Sequence, residues 1–326
     1  MSSLAQLSKL KISHLHLLAQ LCGLPVPPKA TKAARVANIV SGLTLASLVP
    51  AAPCTVLAID IGVKNFSYCA ASYASLQAPP VARVSRWNKL DLHAAYGSSY
   101  VPLLLPQSSV DSRRYLNHLC VLAANDLLAL RPDVVVMEVQ RTRSNNNART
   151  LPNVLVNYTV EALLHSTLTN AGLVVVPMHA TSMASFWINR FFKKASLART
   201  KLASSTKAWR SLLVFESLLP SGAVAMPGFA PASNLLASKK AAALLSHLAI
   251  EPAAANKIDD LVDSLLYNLT ISAQLHNQHL LVETLASEGD LVRFICERNA
   301  HQVRMVQVLM DRYELELAEE FEGLVG

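Results

Sequence analysis

The chain has 326 residues, 52% apolar and only 16% charged, which is enough to build a sizeable core and too apolar for a disordered chain. Its net charge of +7 hides a split: 24 Lys/Arg stand against 8 Asp/Glu up to Lys240, and 5 against 14 from there to the end. A basic body suited to a polyanion thus precedes an acidic tail, and five scattered cysteines (Cys22, Cys54, Cys69, Cys120, Cys296), none in C-x-x-C spacing, argue against a disulfide framework or a zinc site.

The N-terminus lacks acids before Asp60 and carries Lys9, Lys11 and Lys29, a composition compatible with a mitochondrial presequence and equally with a folded module. Ser13 is expected to cap a helix through Leu21, with Leu15, Leu18 and Leu21 on one face and Gly23 ending it. Pro25, Pro27 and Pro28 make a turn. Thr31 then caps a second helix, with Val36, Ile39, Val40 and Leu43 apolar and Lys29, Lys32 and Arg35 expected on its outer side. The run from Val36 to Ile59 has no charge, but Pro50, Pro53 and Gly42 interrupt it, so a helix end, a Pro/Ala linker and a strand explain it better than a membrane span. The pattern Leu10-Lys11-Ile12, Leu15, Cys22-Gly23-Leu24-Pro25, Lys32, Ile39 resembles a SAP-type helix–turn–helix. Three segments are therefore expected. They are a small DNA-binding module over 1–45, a linker over 46–53, and a large domain over 54–326 with an insertion near 180–250 and C-terminal helices near 280–326.

From Cys54 the period changes. Thr55–Ile61, Asn65–Ser75 and Val81–Leu90 read as strands, Val110–Leu130 as an amphipathic helix, and Asp133–Val139 as a buried strand. A helix over Val154–Ala171, a strand over Gly172–Met178 and a late helix over Lys257–Leu269 follow. Three meandering strands, then helix, strand, helix, strand and late helix is the order of the ribonuclease H-like fold: a mixed α/β sheet flanked by helices.

Acids interrupt these apolar elements in three places. Asp60 sits inside the first strand, Glu138 at the end of the Val-Val-Val-Met run of the fourth, and Asp259, Asp260 and Asp263 in the late helix, where Asp263 can share a face with either neighbour at i−4 or i−3. Carboxylates beside a core are costly and repel one another, and divalent cations remove that cost. Two Mg²⁺ ions held this way can activate a water and stabilise the leaving oxygen of a phosphodiester displacement.

Asp60-Ile-Gly-Val-Lys-Asn65, Met137-Glu-Val-Gln-Arg-Thr-Arg-Ser144 and Lys257-Ile-Asp-Asp-Leu-Val-Asp-Ser264 resemble the three catalytic blocks of fungal mitochondrial Holliday junction resolvases, a family related to the bacterial RuvC-type enzymes. The resemblance spans 54–270. It implies a Mg²⁺-dependent (or Mn²⁺-dependent) homodimer in the mitochondrial matrix that makes paired symmetrical nicks across four-way branched DNA, with no nucleotide cofactor and no membrane. It also implies metal ligation by Asp60, Glu138 and Asp263, with Asp259 and Asp260 both open as the fourth ligand, and a tight turn after the first strand at Gly62.

Arg141, Arg143 and Arg149 directly follow Glu138 and are candidate phosphate contacts, as are Lys64 and Lys257 in the flanking blocks. The segment Phe186–Lys194 interleaves aromatics with Arg190, Lys193 and Lys194, and Arg199, Lys201, Lys207, Trp209 and Arg210 follow. It reads as a strand-tracking surface or stacking wedge, or as an amphipathic helix whose aromatics are core. Two rival functions remain: a catalytically inactive junction-binding or scaffold protein, and an actin/Hsp70-type ATPase. The ATPase would need a second Asp-x-Gly loop, which does not follow.

Overall fold

The computed structural model describes residues 3–25, 27, 29–140, 152–193, 196–197, 206–229, 237–250 and 258–318. Four helices come first: α1 (Ser3–Ser8), α2 (Ile12–Cys22), α3 (Lys32–Gly42) and α4 (Thr44–Leu48). Thr31 caps α3 by accepting from the Ala34 N–H at 3.2 Å. Helix α2 begins one residue before Ser13, at Ile12, so the residue ahead of it is Lys11 and no side chain caps it. Gly23 closes α2 in the left-handed region, where a Cβ would strike the Gln274 side chain.

The strands β1 (Cys54–Asp60), β2 (Phe66–Tyr73) and β3 (Ala82–Leu90) form an antiparallel meander. Helices α5 (Leu92–Tyr96) and α6 (Ser109–Leu128) lead to β4 (Val134–Glu138), then come α7 (Pro152–Asn170) and β5 (Val174–Met178). Strands β4 and β5 add in parallel beside β1, giving the order β5-β4-β1-β2-β3-β6. The last of these, β6 (Val224–Ala225), pairs with Ala82 and Arg83 from within the insertion and was not foreseen. The insertion is otherwise helical: α8 (Ala180–Ala184) runs into a π-helical turn at Ser185–Asn189, α9 (Thr206–Leu212) into another at Leu213–Leu218, and α10 (Ala237–His247) follows. The expected late helix does not stop at Leu269: α11 runs from Asp259 to Ala286, and α12 (Leu291–Tyr313) packs behind it.

The sheet is buried on both faces, which explains why β1 and β4 are continuous apolar runs. Val56, Ala58, Val134 and Val136 share one core with α11, whereas Leu57, Ile59, Val135 and Met137 face α6 and α7. Helices α1–α3 contribute Leu7, Leu15, Leu18, Leu21 and Ile39 to the α11 side. Gln6 donates to Leu285 O, Asn277 to Leu21 O and Gln278 to Cys22 O, so the first helices are tied to α11 by buried hydrogen bonds. No described helix is long and apolar enough to cross a membrane.

Candidate active site

Strand parity selects the site. Asp60 lies on the same face of β1 as Val56 and Ala58, and Glu138 on the same face of β4 as Val134 and Val136, so both point toward α11. Ile59 pairs with Met137, which sets Asp60 and Glu138 side by side at the ends of adjacent parallel strands. Across the antiparallel meander Asp60 pairs with Ser67, and Ser67 with Lys89. Glu138, Asp60, Ser67 and Lys89 thus form one row across four strands, beneath the first turn of α11.

Buried hydrogen bonds hold α11 in register with that row. Ser67 Oγ donates to Asp260 O at 2.6 Å, and Trp87 Nε1 to Leu261 O at 3.0 Å. Deeper in the sheet, Asn268 Nδ2 donates to Val56 O (2.8 Å) and Cys69 O (3.0 Å), while its Oδ1 accepts from Tyr73 OH (2.6 Å). These contacts fix where Asp260 and Asp263 stand.

The electrostatics are those of crowded acids. Asp60 is buried, and its carboxyl is within hydrogen-bonding reach of Glu138; burial first, then the charges of Glu138, Asp263 and Asp260, push its pKa well above the ordinary range. Asp263 is raised to about 7, mainly by burial, with Arg210 opposing the shift. Lys89 Nζ is 2.8 Å from Asp260 Oδ2, Arg210 Nη1 is 2.8 Å from Asp263 Oδ1, and Lys207 Nζ is 3.2 Å from Asp259 Oδ2. Of the two open candidates, Asp260 acts on Asp60, whereas Asp259 faces the largely exposed Lys207. Gln140 Nε2 donates to Glu138 Oε2 at 2.6 Å and its backbone N–H to Glu161 Oε2 at 2.8 Å, steadying the end of β4.

Among the described residues, no three His, Cys, Asp or Glu side chains are drawn close enough to enclose an ion as they stand. Asp260 and Asp263 are turned instead to Lys89 and Arg210. The donors are nonetheless carboxylate oxygens alone, the chemistry a hard dication takes, and burial and the neighbouring acids make the ionised form of Asp60 costly without such an ion. This set fits a divalent metal.

The sequence reading missed Lys89 and Gln140, and took Lys207 and Arg210 only as a cationic stretch. Lys89 had a legible signal: it shares parity with the core-facing Trp87. Two expected DNA contacts are corrected. Arg190 is buried, with its guanidinium over the Phe186 and Phe191 rings (5.6 and 4.3 Å) and bonded to Gln302 Oε1, so it does not reach solvent. Arg35 is buried too, and donates to Ala30 O at 3.1 Å. The aromatics Phe186, Trp187, Phe191, Phe192 and Trp209 are core, not a wedge. Lys29, Lys32 and Lys64 are exposed, and Lys193 is half-buried 3.6 Å from Glu316. Arg141, Arg143, Arg149, Lys194, Arg199, Lys201 and Lys257 lie outside the described residues. The turn after β1 closes by Asn65 N–H to Gly62 O (3.2 Å). Gly62 is not left-handed there; the constraint is Asn65 O, 3.3 Å from where a Cβ would sit.

A family model described as mitochondrial resolvase Ydc2 / RNA splicing MRS1 matches residues 56–281, which include Asp60, Glu138, Asp259, Asp260 and Asp263. No curated protein matches the sequence. Among solved structures, the yeast mitochondrial Holliday junction resolvase Ydc2 is similar at 22% identity, covering 85% of this chain and 97% of that one, with a TM-score of 0.54. That supports the fold. RuvC from T. thermophilus, solved with a Holliday junction substrate, aligns at 13% identity over 66% of this chain and 91% of that one, with a TM-score of 0.33.

Proposed function

The chain belongs to the mitochondrial resolvase Ydc2 / RNA splicing MRS1 family, and from that premise we propose that it is a metal-dependent, structure-specific endonuclease that resolves four-way DNA junctions in the mitochondrial matrix. The observation that carries this reading is the convergence of Asp60, Glu138, Asp260 and Asp263 from β1, β4 and α11 at one end of the sheet. A protein that only bound or scaffolded nucleic acid would gain stability by losing such a cluster. Mg²⁺ bound there would supply the charge that activates water and stabilises the leaving oxygen. Asp60, Glu138, Asp260 and Asp263 would hold it, with Gln140 orienting Glu138 and Ser67 fixing the first turn of α11. The exposed Lys29, Lys32 and Lys64, together with Arg141, Arg143 and Arg149, would bind phosphates; residues 1–45 would extend that surface as a DNA-binding module.

Paired nicks require two active sites, and one chain has one carboxylate set, so the working form would be a C₂ dimer. The helical runs Leu265–Leu280 and Leu291–Leu309 bury most of their apolar side chains within the chain, although Val292 and Val308 are exposed. A better surface is the loop ahead of α6, where Leu103, Leu104 and Leu105 are 62–68% exposed, with Leu155 and Tyr158 of α7 also exposed. Asp111 displays those leucines by accepting from Leu103 N–H (2.7 Å), Leu104 N–H (2.8 Å) and Tyr100 OH (2.6 Å).

The test is incubation of the purified protein with a synthetic four-way DNA junction, a linear duplex and a structured RNA, each with Mg²⁺ or EDTA. Symmetrical nicks in the junction alone, only with metal, are expected. Junction binding without cleavage would favour the inactive-scaffold reading, and selective RNA binding a splicing role.

A further inference from the structure

Fully ionised, Asp60, Glu138, Asp260 and Asp263 place four negative charges around one end of the sheet. Such a cluster needs counter-charge, and the chain supplies it. The Lys89 side chain is 4% exposed with Nζ 2.8 Å from Asp260 Oδ2; the Arg210 side chain is 7% exposed with Nη1 2.8 Å from Asp263 Oδ1. Withdrawing an ammonium and a guanidinium this far from water is costly unless each meets an opposite charge, so these are the groups that make the ion-free cluster tolerable. They come from separate places: Lys89 from β3, in the cross-strand row with Ser67 and Asp60, and Arg210 from α9 in the insertion. Lys207, one turn before Arg210, repeats the arrangement at the rim, 54% exposed and 3.2 Å from Asp259.

The oxygens that these cations occupy are the ones a metal would take. We propose that Lys89 and Arg210 are built-in counter-ions that a divalent cation must displace from Asp260 and Asp263, and that the displaced Arg210 then remains at the site as a positioning residue for the DNA phosphate. The second half rests on the nuclease reading; the first does not. Two ligands competing for one set of oxygens weaken each other, so the ion pairs set the metal concentration at which the site fills. The charge balance favours an exchange over simple addition. Two dications added to four carboxylates and two buried cations would leave two positive charges in excess, and an incoming phosphodiester offsets part of that excess. Metal occupancy and DNA binding would then be coupled through Arg210, whose planar fork suits phosphate oxygens.

The experiment is Mn²⁺ binding by the full chain without DNA, measured by calorimetry, for wild type, Arg210→Gln and Arg210→Lys. Circular dichroism and melting serve as fold controls. Arg210→Gln is expected to bind Mn²⁺ roughly three- to tenfold more tightly, the range a partly buried ion pair can contribute. At saturating Mn²⁺ its junction cleavage should fall by about tenfold or more, since the phosphate contact is gone. Tighter metal binding with slower cleavage is a combination that a merely structural residue would not produce. Equal or weaker Mn²⁺ binding by folded Arg210→Gln overturns the proposal. Should that variant not fold, Arg210→Lys, which pairs less well with a carboxylate, must still bind Mn²⁺ more tightly than wild type, and equal or weaker binding overturns the proposal in the same way. A wild-type protein that binds Mn²⁺ but leaves the junction whole refutes the nuclease reading, while the DNA-free affinities still decide the ion exchange.

Discussion

Asp263→Asn should make the metal-free protein more stable and inactive at once, and the gain should depend on pH in a defined way. Burial raises the Asp263 carboxyl from an ordinary 3.8 to about 7 despite the Arg210 guanidinium 2.8 Å away. A carboxyl with a raised folded-state pKa binds its proton more tightly in the native state. Its ionisation therefore costs stability progressively as pH rises from the unfolded value to the folded one, and the cost is constant above that. A shift of about three units at 1.36 kcal/mol per unit gives about 4 kcal/mol at pH 8, falling to under about 2 kcal/mol at pH 5 and to about zero well below pH 4. Asn keeps the shape and an acceptor for Arg210 and has no charge to desolvate; the Arg210 attraction it gives up is already counted, because Asp263 stands at about 7 with that guanidinium beside it. Urea unfolding in EDTA at pH 5 and pH 8 would show the variant's midpoint moving above wild type, more so at pH 8, with unchanged m. Adding Mg²⁺ should narrow the gap, because the intact carboxylate set of wild type binds the ion more tightly than the variant does. A variant no more stable than wild type at pH 8, or a difference that does not change with pH, would refute the reasoning.

Asp60→Asn or Glu138→Gln should lower junction cleavage by about a thousandfold or more, the order of a lost electrostatic element in a nuclease site, while gel-shift affinity for the junction holds or rises; near-normal cutting would remove these residues from the site. Asn268→Leu deletes three buried hydrogen bonds between α11 and strands β1 and β2, a loss of about 3 kcal/mol at roughly 1 kcal/mol each; Tyr73→Phe, which removes one, should cost about a third as much in the same denaturation assay. Leu104→Glu should shift sedimentation at micromolar concentration toward monomer without lowering the melting temperature, and a dimer of unchanged affinity would place the interface elsewhere.

The strand order was legible because β1 and β4 bury both faces and so read as unbroken Val/Ile runs, while α6 keeps an amphipathic stripe. The extent of α11 was not. Past Leu269 its pattern is broken by Gln274, His276, Asn277 and Gln278, residues that usually mark a solvated face. All four are buried. His276 Nδ1 bonds Leu76 O at 2.7 Å, and Asn277 and Gln278 donate to the last carbonyls of α2. A helix buried on most sides has little polar face to reveal it, and His276, Asn277 and Gln278 satisfy backbone groups 200 or 256 positions away in sequence. Strand β6, at two residues, is too short to carry any period at all.

The carboxylates were legible for a reason that did not extend to the cations. An acid inside an apolar strand is anomalous wherever it points, so Asp60 and Glu138 declare themselves from local sequence. A Lys or Arg is ordinary on any surface, and only tertiary structure reveals that its charge has turned inward. Arg190 and Arg210 sit in the same basic stretch, yet one lies between aromatic rings and the other on Asp263. Lys89 shows in sequence only its parity with Trp87, and it took strand register to set it two strands across from Asp60. The excess of basic residues before Lys240 therefore overstates the field offered to DNA, because part of it is spent neutralising the site's own carboxylates. The same residues that make the body look like a nucleic-acid footprint are, in part, what allows four acids to converge at one end of the sheet without a metal.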